Sequence, residues 1–220
     1  ALANAQSCGN SLLESGEDCD DGNSVGDDGC SAQCLEESGY SCNAPFNLTQ
    51  ASLEEWGGDS SWNISPDGRT ATATSNSESS VLVLDGFDPT LVPTTFSVGV
   101  LGTGDDDFLG FAIGINPGDA TNANADFLLI DWKQDDQTYN PWGGLAEEGL
   151  AVSRVQGITS NSDLWTHSGT VTELARAATL ANVGWADQQF YSFDIQYDGE
   201  SLLVFVDGVQ EFNLDESGTG

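Results

Sequence analysis

Positive charge is what this sequence lacks most. Its 220 residues carry four Lys and Arg and one His against 36 Asp and Glu, a formal net charge of −32. Phosphate backbones and anionic lipid surfaces are held mainly through Lys and Arg, so nucleic-acid binding and electrostatic membrane docking are excluded. Long apolar runs are missing as well. The longest, at 81–84, 127–130 and 202–206, fall far short of the ~20 residues that a membrane-spanning helix needs. Methionine is absent. Residues 1–42 contain no base and no aromatic apart from Tyr40, too little to build a core without cross-links or metal. The chain as a whole is 38% hydrophobic, enough for a core, so wholesale disorder is excluded despite the charge.

All five cysteines, Cys8, Cys19, Cys30, Cys34 and Cys42, fall within that coreless first segment. Such density suits a disulfide framework formed in an oxidising compartment. Zinc is the alternative for Cys30 and Cys34, but the intervening residues are acidic and no second close pair follows. Five is odd, and each choice of an unpaired cysteine leaves three connectivities open. Residues 1–5, Ala-Leu-Ala-Asn-Ala, read as the remnant of a secretory signal. The chain is therefore expected to be secreted, extracellular or at a cell surface.

From about residue 43 the pattern becomes β-rich. Runs at 80–85, 95–101, 108–115 and 127–134 are apolar or alternating, and Gly, Asp, Asn and Pro bound them. Tyr191, Phe193, Ile195 and Tyr197 fall on one face of a strand, with Ser192, Asp194 and Gln196 on the other. Asp207-Gly208 joins 201–206 to 209–214 as a two-residue hairpin. Residues 170–180, with Ala content and Glu173 three before Arg176, read as a short helix or loop. Many strands and no long helix predict an all-β chain, an antiparallel sandwich of the jelly-roll kind.

The acids are clustered. Asp18, just before Cys19, and Asp20, Asp21, Asn23, Asp27 and Asp28, interleaved with Gly between Cys19 and Cys30, let a tight backbone converge the six to eight oxygens that Ca²⁺ takes. The stretch resembles the cysteine-rich disulfide repeat of myxobacterial-type secreted proteins. The shared elements are Cys8-Gly9-Asn10, the run from Gly16 to Asn23, the run from Asp28 to Cys34, and Gly39-Tyr40-Ser41-Cys42; Ser11 departs from the usual Gly. A second cluster, Asp105, Asp106 and Asp107, opens the segment Phe108-Leu109-Gly110-Phe111. Three adjacent carboxylates repel one another, and a divalent cation removes that cost. Farther on, Asp126, Asp131 and the pair Asp135-Asp136 flank the aromatic segment Asp131-Trp132-Lys133-Gln134.

The second region resembles the C-terminal domain of thrombospondins, a lectin-like β-sandwich that binds Ca²⁺. The shared landmarks are Asp105-Asp106-Asp107-Phe108-x-Gly110-Phe111 and Trp132-Lys133-Gln134-x-x-Gln137-Thr138-Tyr139, followed by Gly149-Leu150, Leu164-Trp165 and Gly184-Trp185-x-Asp187, in order over residues 46–215. The resemblance implies calcium at Asp105–Asp107. It departs at Trp165-Thr166-His167-Ser168-Gly169, where the family has Trp-His-Thr-Gly. In an extended segment that shift sends His167 to the other face. The chain also stops before the closing strand that the family places after the hairpin, which leaves a sheet edge open if nothing follows.

These readings give residues 1–5 as a leader remnant, 6–42 as a disulfide-rich calcium-binding repeat, and 43–220 as a thrombospondin-C-like sandwich. An enzyme is not expected: no Gly-x-Ser-x-Gly elbow is present, no paired carboxylates suit glycoside hydrolysis, and a lone His is more often packed than catalytic. Asp126 and Asp131 are an odd number of residues apart, so a regular strand points them to opposite faces. Lys133, the only lysine, is expected in a structural ion pair. Tyr139 and Trp142, on a Gly/Pro loop, are the candidate ligand contacts. The expected function is calcium-dependent adhesion to an extracellular glycan or a matrix or surface protein. The alternative is a filament or layer subunit that self-associates by strand donation, and a polysaccharide-acting enzyme comes third.

Overall fold

The computed structural model describes residues 24–26, 30–35, 37, 47–75, 78–84, 90, 93–104, 107–138, 141 and 143–215. The chain divides into two units, Ala1–Phe46 and Asn47–Gly220. In the first unit, the described residues include a turn in which Cys34 N–H donates to Ser31 O at 2.8 Å and Ser31 N–H donates to Leu35 O at 3.0 Å. Cys30 and Cys34 are buried. Cys8, Cys19 and Cys42 lie outside the described residues, and with them the pairing scheme.

The second unit is all-β, as its alternating pattern requires. Two four-stranded antiparallel sheets carry it. One comprises β5 (Thr94–Gly99), β10 (Phe190–Tyr197), β11 (Ser201–Val206) and β12 (Val209–Asp215), in the order β12-β11-β10-β5. The other runs β6-β7-β8-β9, with β6 at Phe108–Ile113, β7 at Asp126–Lys133, β8 at Gly149–Gln156 and β9 at Val171–Arg176. Two short ribbons precede them, β1 (Ser52–Glu55) with β4 (Ser80–Val83), and β2 (Trp62–Ile64) with β3 (Ala71–Ala73).

The main core lies between the two large sheets. Phe193, Ile195, Val204, Val206, Phe212 and Leu214 face Ile130, Trp132, Leu150 and Val152. Alternation puts Tyr191, Phe193 and Ile195 inside and Ser192 and Gln196 outside, as the sequence periodicity predicts. Phe96 stacks on Phe193 at 5.7 Å, and Phe111 meets both rings edge-on. The Asp207-Gly208 hairpin also forms as expected, with Val206 opposite Val209 and positive φ at both turn residues (49° and 79°).

The second face of the β6–β9 sheet is covered too. Ala125, Phe127, Leu129, Val155 and Val171 form a smaller cluster with Leu164. Leu164 belongs to α1 (Asn161–Thr166), the one α-helix among the described residues. Ser160 caps it, its hydroxyl accepting from Asp163 N while the Asp163 carboxylate accepts from Ser160 N. Asn161 ties α1 to the β1–β4 ribbon, donating to Trp56 O at 2.7 Å and accepting from Ser79 N at 3.1 Å. With both faces covered, β7 and β8 are buried along most of their length.

Two expectations are corrected here. Residues 171–176 are a strand, not a helix: β9 pairs with β8 from Val155↔Val171 to Ala151↔Arg176, and tertiary pairing overrides the local helical preference of Ala, Leu and Glu. The segment before His167 is helical rather than extended, so the face-switching argument does not apply to it. His167 ends α1 in the left-handed region (φ 47°, ψ 57°).

Candidate functional site

The two large sheets contribute loops 100–107, 134–148 and 177–189 at the end where β6 begins and β7 stops. This end is acidic. Asp187 reaches across it: its carboxylate accepts from Gly104 N at 3.2 Å and from Gln134 Nε2 at 3.5 Å. Glu148 accepts from Gly184 N at 2.8 Å, while Glu148 N donates to Asp136 at 2.8 Å. Gly184 is needed for this closeness, because a Cβ there would lie 1.7 Å from Gln134 O. Trp132 Nε1 donates to Val183 O at 2.7 Å, which fixes the same loop from the core side. The three loops are thus hydrogen-bonded to one another through Gly104, Gln134, Glu148, Gly184 and Asp187.

Just inside this end, on the face of β7 covered by α1, lies a buried charge cluster. Asp131 and Lys133 are two residues apart, so both side chains leave the same face of the strand. Both are essentially inaccessible, at 0% and 2% exposure, and Lys133 Nζ is ion-paired with Asp131 Oδ2. Phe108, opposite Lys133 in the ladder, holds its ring 5.4 Å from Nζ. His167 Nε2 lies 2.9 Å from Lys133 Nζ and 2.9 and 3.1 Å from the two Asp131 oxygens. On its other side, His167 Nδ1 is 2.8 Å from Glu173 Oε2. Arg176 Nε donates to Glu173 Oε1 at 2.9 Å and its Nη2 to Glu147 at 3.1 Å. Three of the five basic side chains of the whole sequence are therefore gathered in one chain of contacts.

The charges offset one another. Burial works to raise the Asp131 carboxyl, but Lys133 and His167 beside it hold it below the usual aspartate range. Burial likewise works to lower His167, yet the Asp131 charge and hydrogen bonds to Asp131 and Glu173 prevail, and the imidazole is raised. Glu173 is brought down to about 2: burial opposes this, but hydrogen bonds from His167 and Arg176 win. The imidazolium form lets both ring nitrogens donate to carboxylates. On the same face, Ser153 opposite Glu173 is buried, and its hydroxyl has no hydrogen-bond partner among the described residues.

No family model matches the chain, and no curated protein matches it either.

The sequence-predicted site residues are only partly brought together. Asp107 lies at the acidic end, partly buried, while Asp105 and Asp106 lie outside the described residues. So do Tyr139 and Trp142, and the first-unit ligand candidates Asp18, Asp20, Asp21, Asn23, Asp27 and Asp28. Asp126 and Asp131 do lie on opposite faces of β7, and each has a cationic partner already. Asp126 accepts a bidentate pair from Arg154, both bonds at 2.7 Å, and Asp131 is paired with Lys133 and His167. Neither carboxylate is left over to complete a cation site with the Asp triplet. Among the described residues, no group of three or more His, Cys, Asp and Glu side chains is arranged to hold a metal ion.

Lys133 is in the ion pair expected of it. His167, Glu173 and Arg176 were missed as its companions. The available signal was the pairing of scarce residue types: a chain with so few bases that places one beside Trp132 at the end of an apolar strand needs buried partners for it. Glu211 was missed as well. It is 4% exposed and accepts from Thr179 N at 2.8 Å, from Leu180 N at 3.2 Å and from the Thr179 hydroxyl. Ala178 N also donates to Glu211 O at 2.9 Å, so a loop covers part of the β12 edge.

Proposed function

We propose that the chain is a secreted, non-enzymatic, calcium-binding module for adhesion or ligand binding at a cell surface or in extracellular matrix. The observation that carries the reading is the Asp187 carboxylate accepting from Gly104 N at 3.2 Å, from 83 residues away. It braces the base of the Asp105–Asp107 loop with a further acidic side chain, in a chain that has few bases to offset it. A loop so charged opens by self-repulsion unless a cation closes it. Asp105, Asp106 and Asp107 would hold Ca²⁺, with Asp187 as a backbone clamp, and the 18–28 loop of the first unit would hold it through Asp18, Asp20, Asp21, Asn23, Asp27 and Asp28. The resemblance to the thrombospondin C-terminal domain supports the same reading. Tyr139 and Trp142 would contact an extracellular glycan or a matrix or surface protein.

Two features favour this over its rivals. His167 and Asp131 are buried beneath α1, away from any substrate, which argues against an enzyme. The loop over Glu211 covers part of the β12 edge, which argues against strand donation as the main activity.

Thermal unfolding with and without Ca²⁺ is the test. At one hundred times its dissociation constant, a native-state ligand adds about 2.7 kcal/mol, or roughly 5–11 °C for a domain of this size. Chelation should remove that increment, and Asp106→Asn or Asp187→Asn should reduce it. Identical melts with Ca²⁺ and with chelator would refute the proposal.

A further inference from the structure

We propose that Lys133 and Asp131 join to form an intramolecular isopeptide bond, with His167 as the proton-transfer catalyst and Glu173 as its positioning residue. The inference is independent of calcium. It rests on four groups in direct ion-pair or hydrogen-bond contact.

The nucleophile and the carboxyl share one face of β7, and Lys133 Nζ is held against Asp131 with both side chains at 2% exposure or less. Phe108 packs on one side of Nζ, at 5.4 Å from its ring centroid. The third group decides the chemistry. His167 Nε2 stands 2.9 Å from the attacking nitrogen and 2.9 Å from Asp131 Oδ1, an oxygen that can leave. One imidazole nitrogen thus touches both the atom that must lose protons and the atom that must gain them. Glu173 at 2.8 Å from Nδ1 fixes the ring, and Arg176 at 2.9 Å fixes Glu173. This is a base and its orienter at hydrogen-bond distance, the arrangement that general acid–base catalysis needs.

The steps balance. The His167 imidazolium gives its Nε2 proton to the Asp131 carboxylate and takes one from the Lys133 ammonium, which turns the ion pair into an amine and a carboxylic acid and restores the imidazolium. The amine lone pair attacks Cγ and forms the C–N bond. The imidazolium delivers its proton to the hydroxyl, the C–OH bond breaks, one water departs, and the imidazole takes the proton that the nitrogen must lose. Nothing is oxidised or reduced, and no co-reactant is required. Proximity supplies the usual bimolecular cost. Burial supplies the direction, because a neutral amide replaces two charges that are expensive to keep out of water.

The single lysine makes the experiment clear-cut. The native chain, denatured and with its cysteines reduced, is weighed intact and then digested with a lysine-specific protease. The proposal expects a mass one water below the sequence mass and a chain that stays uncut, since its only lysine has no free amine. The full sequence mass together with cleavage into two fragments would overturn it. The Lys133→Arg variant should show the full mass. In His167→Ala and Glu173→Gln proteins that retain a cooperative melt, bond formation should slow by about a hundredfold or more for the histidine change, and by less for the glutamate change. Linking at the native rate in His167→Ala would overturn the catalytic assignment. If neither variant folds, the mass of the native chain still decides.

Discussion

Removing the Glu211 side chain is expected to be one of the most damaging single changes in the sandwich. The β11–β12 register passes from Val204↔Phe212 to Phe205↔Gln210, so Glu211 is the extra residue of a β-bulge. The bulge turns a charged side chain inward on an edge strand, where it accepts from Thr179 N, Leu180 N and the Thr179 hydroxyl. Glu211→Ala deprives all three donors at once. Hydrogen bonds to a charged group contribute about 1.5–3 kcal/mol each, and the exposed Thr179 recovers part of its loss from water. The net cost should be about 3 kcal/mol, read as a drop in melting temperature of roughly 6–12 °C. Glu211→Gln should cost only about 1 kcal/mol, because its oxygen can accept from both backbone N–H groups while its amide donates to the Thr179 hydroxyl. Calorimetry on the three proteins measures the difference. Sedimentation at high concentration adds a second readout, since an uncovered edge strand invites pairing with another copy. If Glu211→Ala melts within a degree of the parent, the loop is not held by this side chain and the reasoning fails.

Other outcomes follow from the same geometry. Gly184→Ala places a methyl 1.7 Å from Gln134 O, a backbone clash that should cost more than about 3 kcal/mol and loosen the acidic end; chemical denaturation measures it. Val204→Ala, at 0% exposure between the sheets, should cost about 2–3 kcal/mol by the same assay. Glu173 is depressed to about 2, so its contribution is complete above pH ~4.5 and lost as pH falls toward 2; Glu173→Gln should flatten that part of the acid limb of a stability–pH profile. His167 is raised, so its contribution is complete below pH ~6.5 and lost as pH rises through the folded value. In the unlinked protein, NMR of the single imidazole should show that elevated titration, whereas in the linked protein the Asp131 charge is gone and the titration should move down.

The strands were legible wherever one face is wet. β10 alternates plainly, the β11–β12 hairpin carries its Asp-Gly turn, and β6 was located to within two residues; β7, covered on both faces, was located instead by its continuous apolar run at 127–130. β8 and β9 were not legible. β8 is buried on both faces, so it lacks alternation, and β9 is rich in residues that favour helices. The short α1 was hidden for a different reason: six residues give too little periodicity, and only Ser160 with Asp163 marked its start. Of the buried cluster, the Asp131–Lys133 pair could be read because two residues along a strand means one face. His167 and Glu173 come from elements whose type was misjudged, and their meeting with β7 is a product of tertiary packing. Asp126 illustrates the opposite failure. Its acidity suggested a cation, but the guanidinium it holds sits on the neighbouring strand, 28 residues later.

The position of Lys133 has a practical consequence for how the folded molecule meets reagents. With the one lysine 2% exposed, the described surface presents no side-chain amine at all. Acylating labels, aldehydes and reducing sugars, which modify most proteins through lysine, have no side-chain target there. Carboxyl-directed coupling, by contrast, meets acids on every side. Trypsin finds few native sites as well: Arg154 and Arg176 lie within the β6–β9 sheet, whereas Arg69 sits exposed in the turn between β2 and β3. The bond after Arg69 is where that protease should first nick the described part of the sandwich.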